Sequence, residues 1–220
     1  MLITLAACAG PGPRIDANVE ALAKVRSIAV IRAPEPSTYM VVNFGHPGAA
    51  FGLVGGLFAA ADQNSKQDRL SEAIAASGHS VTASLAKSVA DMLSRAGFET
   101  VIEDSVTDGS GGKEMIQSNA DAVLVIAPRI IGFLAAGATS DYLPTVAVVA
   151  TLHENGAGTH LYRGSHVAGY QPKGGEWRTS PAGATFANFD ALMANPERSA
   201  QSLTEAAKAV ATTIADDLIQ

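Results

Sequence analysis

The passage from Ser80 to Ile102 constrains the fold more than any other part of the chain. Val81, Leu85, Val89, Met92, Leu93 and Ala96 recur at helical spacing. Ser80 or Thr82 can cap the start of that helix, and Gly97 is placed to close its end. Phe98-Glu99-Thr100-Val101-Ile102 then reads as a strand. A helix that stops at Ala96-Gly97 and turns directly into a strand is an α/β unit, and its apolar stripe requires a sheet to lie on.

Several apolar runs can supply that sheet. Ile28-Ala29-Val30-Ile31 is a buried strand that leaves through the proline loop Ala33-Pro34-Glu35-Pro36, and Tyr39-Met40-Val41-Val42 is a second, shorter one. Ala122 to Ala127 is strongly apolar, and Pro128 to Phe133 extends it past a kink. Thr145 to His153 is a long strand. Asn155-Gly156 then signals a hairpin, with Ala157-Gly158 lengthening the turn. Its partner is Thr159 to Tyr170, in which His160, Tyr162 and Ser165 are expected on the more exposed side.

Shorter or flanking helices are expected at 16–25, from Gln63 towards Gly78, at Phe189–Ala194, and from Pro196 to Gln220. In the last, Leu203, Ala206, Ala207, Val210, Ala211, Ile214 and Leu218 form a buried stripe. Trp177, between Glu176 and Arg178, is expected as a lid over the core from a polar loop. The expected fold class is α/β (α+β): a single domain over 25–220, with a mixed sheet, a C-terminal hairpin and helices packed on it.

Composition supports a packed domain. The 220 residues are 47% hydrophobic and 16% charged, enough apolar surface for a sizeable core. A net charge of −6, without a Lys/Arg cluster, argues against a nucleic-acid partner. With one cysteine there is no intramolecular disulfide framework, so the fold stands on packing.

That cysteine ends a pattern of its own. Leu5-Ala6-Ala7-Cys8 matches the lipobox of bacterial lipoproteins, in which small residues precede a thiol that takes the lipid. Met1 to Ala7 give a short apolar run without the basic n-region of a signal segment, so 1–8 is a partial signal. Ala9-Gly10-Pro11-Gly12-Pro13 resists helix and central strand, and 9–24 is expected as a tether. Cys8 is the expected lipidation site. Ala9 rather than Asp after it fits an outer-membrane destination facing the periplasm.

Phe44 to Ala61 carries no formal charge. On a helix Gly48, Gly52 and Gly56 fall one turn apart and form a smooth groove. Two readings fit. Either the glycines let the helix lie close on the protein's own sheet, or the face with Gly48, Phe51, Gly52, Gly56 and Phe58 is a contact surface for a partner or a membrane interface. The apolar run after Pro47 is shorter than the roughly 20 residues a bilayer requires.

Catalytic motifs are weak. Asp108-Gly109-Ser110-Gly111-Gly112-Lys113 lacks the first glycine of a P-loop, and Glu114 stands where Ser or Thr is needed. Ser165 and His166 are adjacent, and adjacent strand residues point to opposite faces. His153 and His160 flank one hairpin turn, but no third ligand is suggested by spacing, so they read as solvated strand histidines. No catalytic residue, metal site or cofactor is expected.

The lipobox, the strand Ser27-Ile28-Ala29-Val30-Ile31, the Leu93–Val101 passage through Ala96-Gly97-Phe98, the strand after Ala120-Asp121 and the Asn155-Gly156 hairpin together span most of the chain. In this combination the sequence resembles small bacterial envelope lipoproteins with an α/β domain like the N-terminal domain of TolB, a loose group that includes the curli-secretion lipoprotein. The resemblance implies a protein that assembles with itself or with envelope proteins rather than an enzyme. The Phe44–Ala61 glycine segment is not part of it, and only Cys8 carries over as a functional residue. The alternative is a periplasmic small-molecule or lipid-binding module, with an apolar pocket beneath Phe44–Ala61 and Trp177.

Overall fold

The computed structural model describes residues 12–45, 52–105, 118–156 and 159–219, leaving aside the side chains of 52–61. In chain order the elements are α1 (Val19–Leu22), β1 (Ser27–Arg32), β2 (Met40–Asn43), α2 (Gly52–Ala76), α3 (Val81–Arg95) and β3 (Glu99–Asp104). They continue with β4 (Ala122–Ala135), β5 (Leu143–Glu154), β6 (His160–Ala168), β7 (Trp177–Ser180), α4 (Phe189–Ala194) and α5 (Pro196–Leu218).

The strands form one seven-stranded mixed sheet in the order β3-β1-β4-β5-β6-β7, with β2 beside the far half of β4. β1 is parallel to β3 and to β4, β2 is parallel to β4, and β6 is parallel to β7. β4, β5 and β6 form an antiparallel meander. The expected α+β class, mixed sheet and hairpin are therefore observed. β4 is a single long strand whose register shifts between Pro128 and Ile130, since proline cannot donate to the ladder.

Local chemistry sets the helix ends. Ser80 caps α3 by accepting from Ala83 N at 3.1 Å. At its other end Gly97 takes φ +102°, a left-handed conformation that closes the helix, and Phe98 N returns to Leu93 O at 3.2 Å. Asn195 ends α4 and caps α5 through Arg198 N, with Pro196 in the first turn where its missing N–H costs nothing.

The main core lies on one face of the sheet. Ile28 and Val30 of β1, Leu124 and Ile126 of β4, and Val146, Val148, Ala150 and Leu152 of β5 meet Val81, Leu85, Val89 and Leu93 of α3. Leu203, Ala207, Val210 and Ile214 of α5 complete the layer. Each Leu or Val buried this fully contributes about 1.5–3 kcal/mol of apolar transfer. Residues alternating with these in β1 and β4, namely Ala29, Ile31 and Val123, form a smaller cluster with Ala120 on the other face.

Candidate functional site

The titratable cluster most perturbed by burial lies between β6 and the C-terminal half of α5. Strand alternation turns Tyr162, Gly164 and His166 towards the helix. Tyr162 and His166 are fully buried, contrary to the exposure expected for Tyr162, and Ser165 is buried as well. Gly164 makes the pairing possible: a Cβ there would lie 2.7 Å from His166 Nε2 and overlap the Tyr162 hydroxyl. Tyr162 Oη is 2.5 Å from His166 Nε2 and 2.9 Å from Asp217 Oδ2. His166 Nδ1 is 2.9 Å from Thr213 Oγ1. Thr213 and Asp217 stand one turn apart on α5, which places both over the strand.

Asp217 is 1% exposed and joins two further segments. Arg178 of β7 donates to its Oδ1, and Arg14 Nη1 approaches Oδ2 at 3.2 Å. Arg14 also binds Asp16 at 2.7 Å. The stretch expected as a tether is thus tied to the domain from Arg14 onwards: Ile15 exchanges two hydrogen bonds with Arg163, and Asn18 N donates to Leu161 O.

Burial alone would raise the Asp217 carboxyl, but hydrogen bonds from Tyr162 and Arg14 and the charges of Arg14 and Arg178 hold it below the usual range. His166 is pushed down to about 4, chiefly by desolvation, which outweighs its attraction to Asp217. The Tyr162 phenol is raised by burial and by the Asp217 charge. A neutral His166 has one N–H and one bare nitrogen, so the hydrogens run one way through the chain. Tyr162 donates to Asp217, so Nε2–H donates to Tyr162 and Nδ1 accepts from the Thr213 hydroxyl. This arrangement keeps the charge on Asp217. The cluster contains the side chains of an acid–base site, but its polar atoms are turned on one another, and it acts as a buried polar lock across four segments.

A second cluster sits at the start of α3. The Glu35 carboxylate, from the proline loop after β1, accepts from Val81 N at 3.0 Å and Thr82 N at 3.2 Å. The hydroxyls of Ser80, Tyr39 and Thr82 donate to it at 2.5, 2.5 and 2.7 Å. An anion is thereby held on the positive end of the helix. Burial raises this carboxyl, and the donors from Ser80, Tyr39, Thr82 and Val81 more than offset it, so its pKa is lowered.

Among the residues expected to carry function, Cys8, Gly48 and Phe51 lie outside the described residues. Gly52, Gly56 and Phe58 fall on α2, which runs unbroken from Gly52 to Ala76. Trp177 is not in a polar loop but opens β7, paired with Ser165, and its indole N–H donates to Gly174 O at 2.8 Å. His153 and His160 stand with ring centroids 4.5 Å apart. A groove of about 560 Å³ is lined by residues including Lys24, Asp121, Glu154 and Asn155, away from Trp177. Asp121 accepts from the amides of Arg26 and Ser27, and Asn155 Nδ2 donates to the carbonyls of Ser118 and Ala120. Among the described residues no helix is long and apolar enough to cross a membrane.

Sequence reasoning passed over the lock and the Glu35 cap. One signal was available: Thr213 and Asp217 interrupt the α5 stripe beside Ile214 and Leu218, at positions that face the core. A carboxylate there requires a buried partner.

No family model matches the sequence, and no curated protein matches it. Among solved structures, the chain is similar to PelC from Paraburkholderia phytofirmans, there a dodecamer, at 12% identity and a TM-score of 0.37, covering 88% of this chain and 89% of that one. It is also similar to protein XCC0632 from Xanthomonas campestris, a DUF330 protein, at 13% identity and a TM-score of 0.44, covering 93% of this chain and 90% of that one. Both are bacterial proteins. The likeness extends over nearly all of each chain.

Proposed function

We propose that this chain is a bacterial cell-envelope protein, lipid-anchored at Cys8, that works by protein–protein contact, including self-association, rather than by catalysis. The observation that carries the reading is the lipobox Leu5-Ala6-Ala7-Cys8 followed at once by a Gly/Pro run. The lock supports it. Arg14, six residues after Cys8, is fastened to Asp217, so pull on an anchor would be borne by β6, β7 and α5 together. The proposed location is the outer membrane, facing the periplasm. The proposed contact surface is the small-residue face of Gly48, Gly52 and Gly56 with Phe51 and Phe58.

Labelling with a clickable palmitate analogue, in the native reading frame beside Cys8→Ser, tests the anchor. Label that depends on Cys8 supports the reading; absence of label in both proteins removes it. Sedimentation of Gly52→Asp tests the surface. The expected result is lost association with an unchanged circular-dichroism spectrum, whereas an unfolded variant would assign the glycines to core packing.

A further inference from the structure

The β5–β6 hairpin changes register at its mouth. Leu152 faces Tyr162, and the next pair is His153 with His160. A regular antiparallel ladder continuing from Leu152 and Tyr162 would set His153 opposite Leu161 and Glu154 opposite His160. The extra residue shifts this pairing by one, so the bulge itself brings the two histidines into opposition. Leu152 and Tyr162 point into the core, and the imidazoles sit together on the other face with planes inclined at 48°. His160 is exposed and His153 is half-buried, so the pair is open to solvent at the end of the sheet.

We propose that His153 and His160 form a chelating site for a late first-row divalent cation, with water completing the coordination. Opposed strand residues carry their Cβ atoms about 4.5–5.5 Å apart. Metal–imidazole bonds are about 2.0–2.1 Å long, so one ion can take a nitrogen from each ring. The ladder fixes both backbones beforehand, and the second ring therefore binds intramolecularly at high effective concentration. Two neutral nitrogen ligands select borderline ions over Mg²⁺ or Ca²⁺, with Cu²⁺ held more tightly than Ni²⁺ or Zn²⁺. No group of three or more His, Cys, Asp or Glu placed to hold a metal occurs among the described residues. The two imidazoles supply two ligands and water the others, as suits a labile surface site more than a structural one.

The test is calorimetric titration of the tag-free full chain with Cu²⁺, Ni²⁺ and Zn²⁺, in a Cys8→Ser background so that the thiol does not compete. One ion per chain is expected, with Cu²⁺ tightest. His160→Gln and His153→Gln should each weaken binding by at least about tenfold, the scale of loss seen when a metal site's supporting groups are changed. His79→Gln should leave binding unchanged. His160 lies at the surface, so its variant keeps the fold, which circular dichroism checks. An isotherm unchanged in His160→Gln, or no saturable Cu²⁺ binding in the parent protein, would overturn the proposal.

Discussion

Acid should weaken this fold through His166. The imidazole is fully buried, and desolvation holds its pKa at about 4 against an ordinary value of 6.5. Between those values the unfolded chain binds a proton that the native chain refuses, so stability falls as pH falls. The contribution of the neutral ring is complete above pH 6.5 and is progressively lost on the way down to about pH 4. For one group with these two pKa values, the loss between pH 8 and pH 5 is about 2 kcal/mol. Urea unfolding followed by circular dichroism at pH 8, 6.5 and 5 should show it as a drop in midpoint on the order of 1 M. His166→Gln keeps a side chain able to hydrogen-bond to Tyr162 or Thr213 but does not titrate. That variant is less stable at pH 8, and its midpoint changes less with pH than the parent's. Asp217 does not blur the comparison, because its pKa is lowered and it titrates below the window. Identical pH slopes for parent and variant would refute the reasoning, as would an NMR titration of His166 near 6.5.

Three further perturbations probe the same architecture. Gly164→Ala pushes a methyl group into the Tyr162–His166 contact and should cost about 1–3 kcal/mol as overpacking, read from the urea midpoint. A cost near zero would mean that the two side chains separate freely. Asp217→Asn removes the charge that Arg14 and Arg178 share; both arginines reach solvent and can relax, so the loss is that of charge-assisted hydrogen bonds, about 2–3 kcal/mol. Proteolysis should then cut first near Arg14, and an unchanged cleavage pattern would count against the lock. Glu35→Gln leaves the α3 amides an uncharged acceptor and should cost about 2 kcal/mol at pH 7. The lowered pKa of Glu35 means that its contribution is present above its unfolded value, about 4.3, and is lost as pH falls through the folded one, so parent and variant should converge in acid.

Much of the fold could be read from residue order because its causes are local. The α3–β3 passage is specified by a Ser cap, a one-face stripe and Gly97, and each of these acts within a few residues. The same holds for the β5–β6 hairpin and for α5 with its Asn195-Pro196 start. β7 was not legible, since four residues with one tryptophan carry no periodicity. They become a strand because β6 offers an edge at Ser165–Ala168. Glu35 looked like loop chemistry in a Pro-x-Pro setting; only the close approach of the β1–β2 connection to α3 makes it a cap across 46 residues.

The sequence by itself determined the α+β class, the mixed sheet and which helix faces are apolar, because burial pattern and capping are properties of neighbours along the chain. Tertiary structure alone decided which polar residues meet. Arg14, Tyr162, His166, Arg178, Thr213 and Asp217 come from four segments, and their convergence depends on strand order and on the seat of α5 over β6. The opposition of His153 and His160 likewise depends on a single inserted residue in the ladder. Charges and hydrogen bonds act at a few ångströms in space, whatever the separation along the chain, and packing sets those distances.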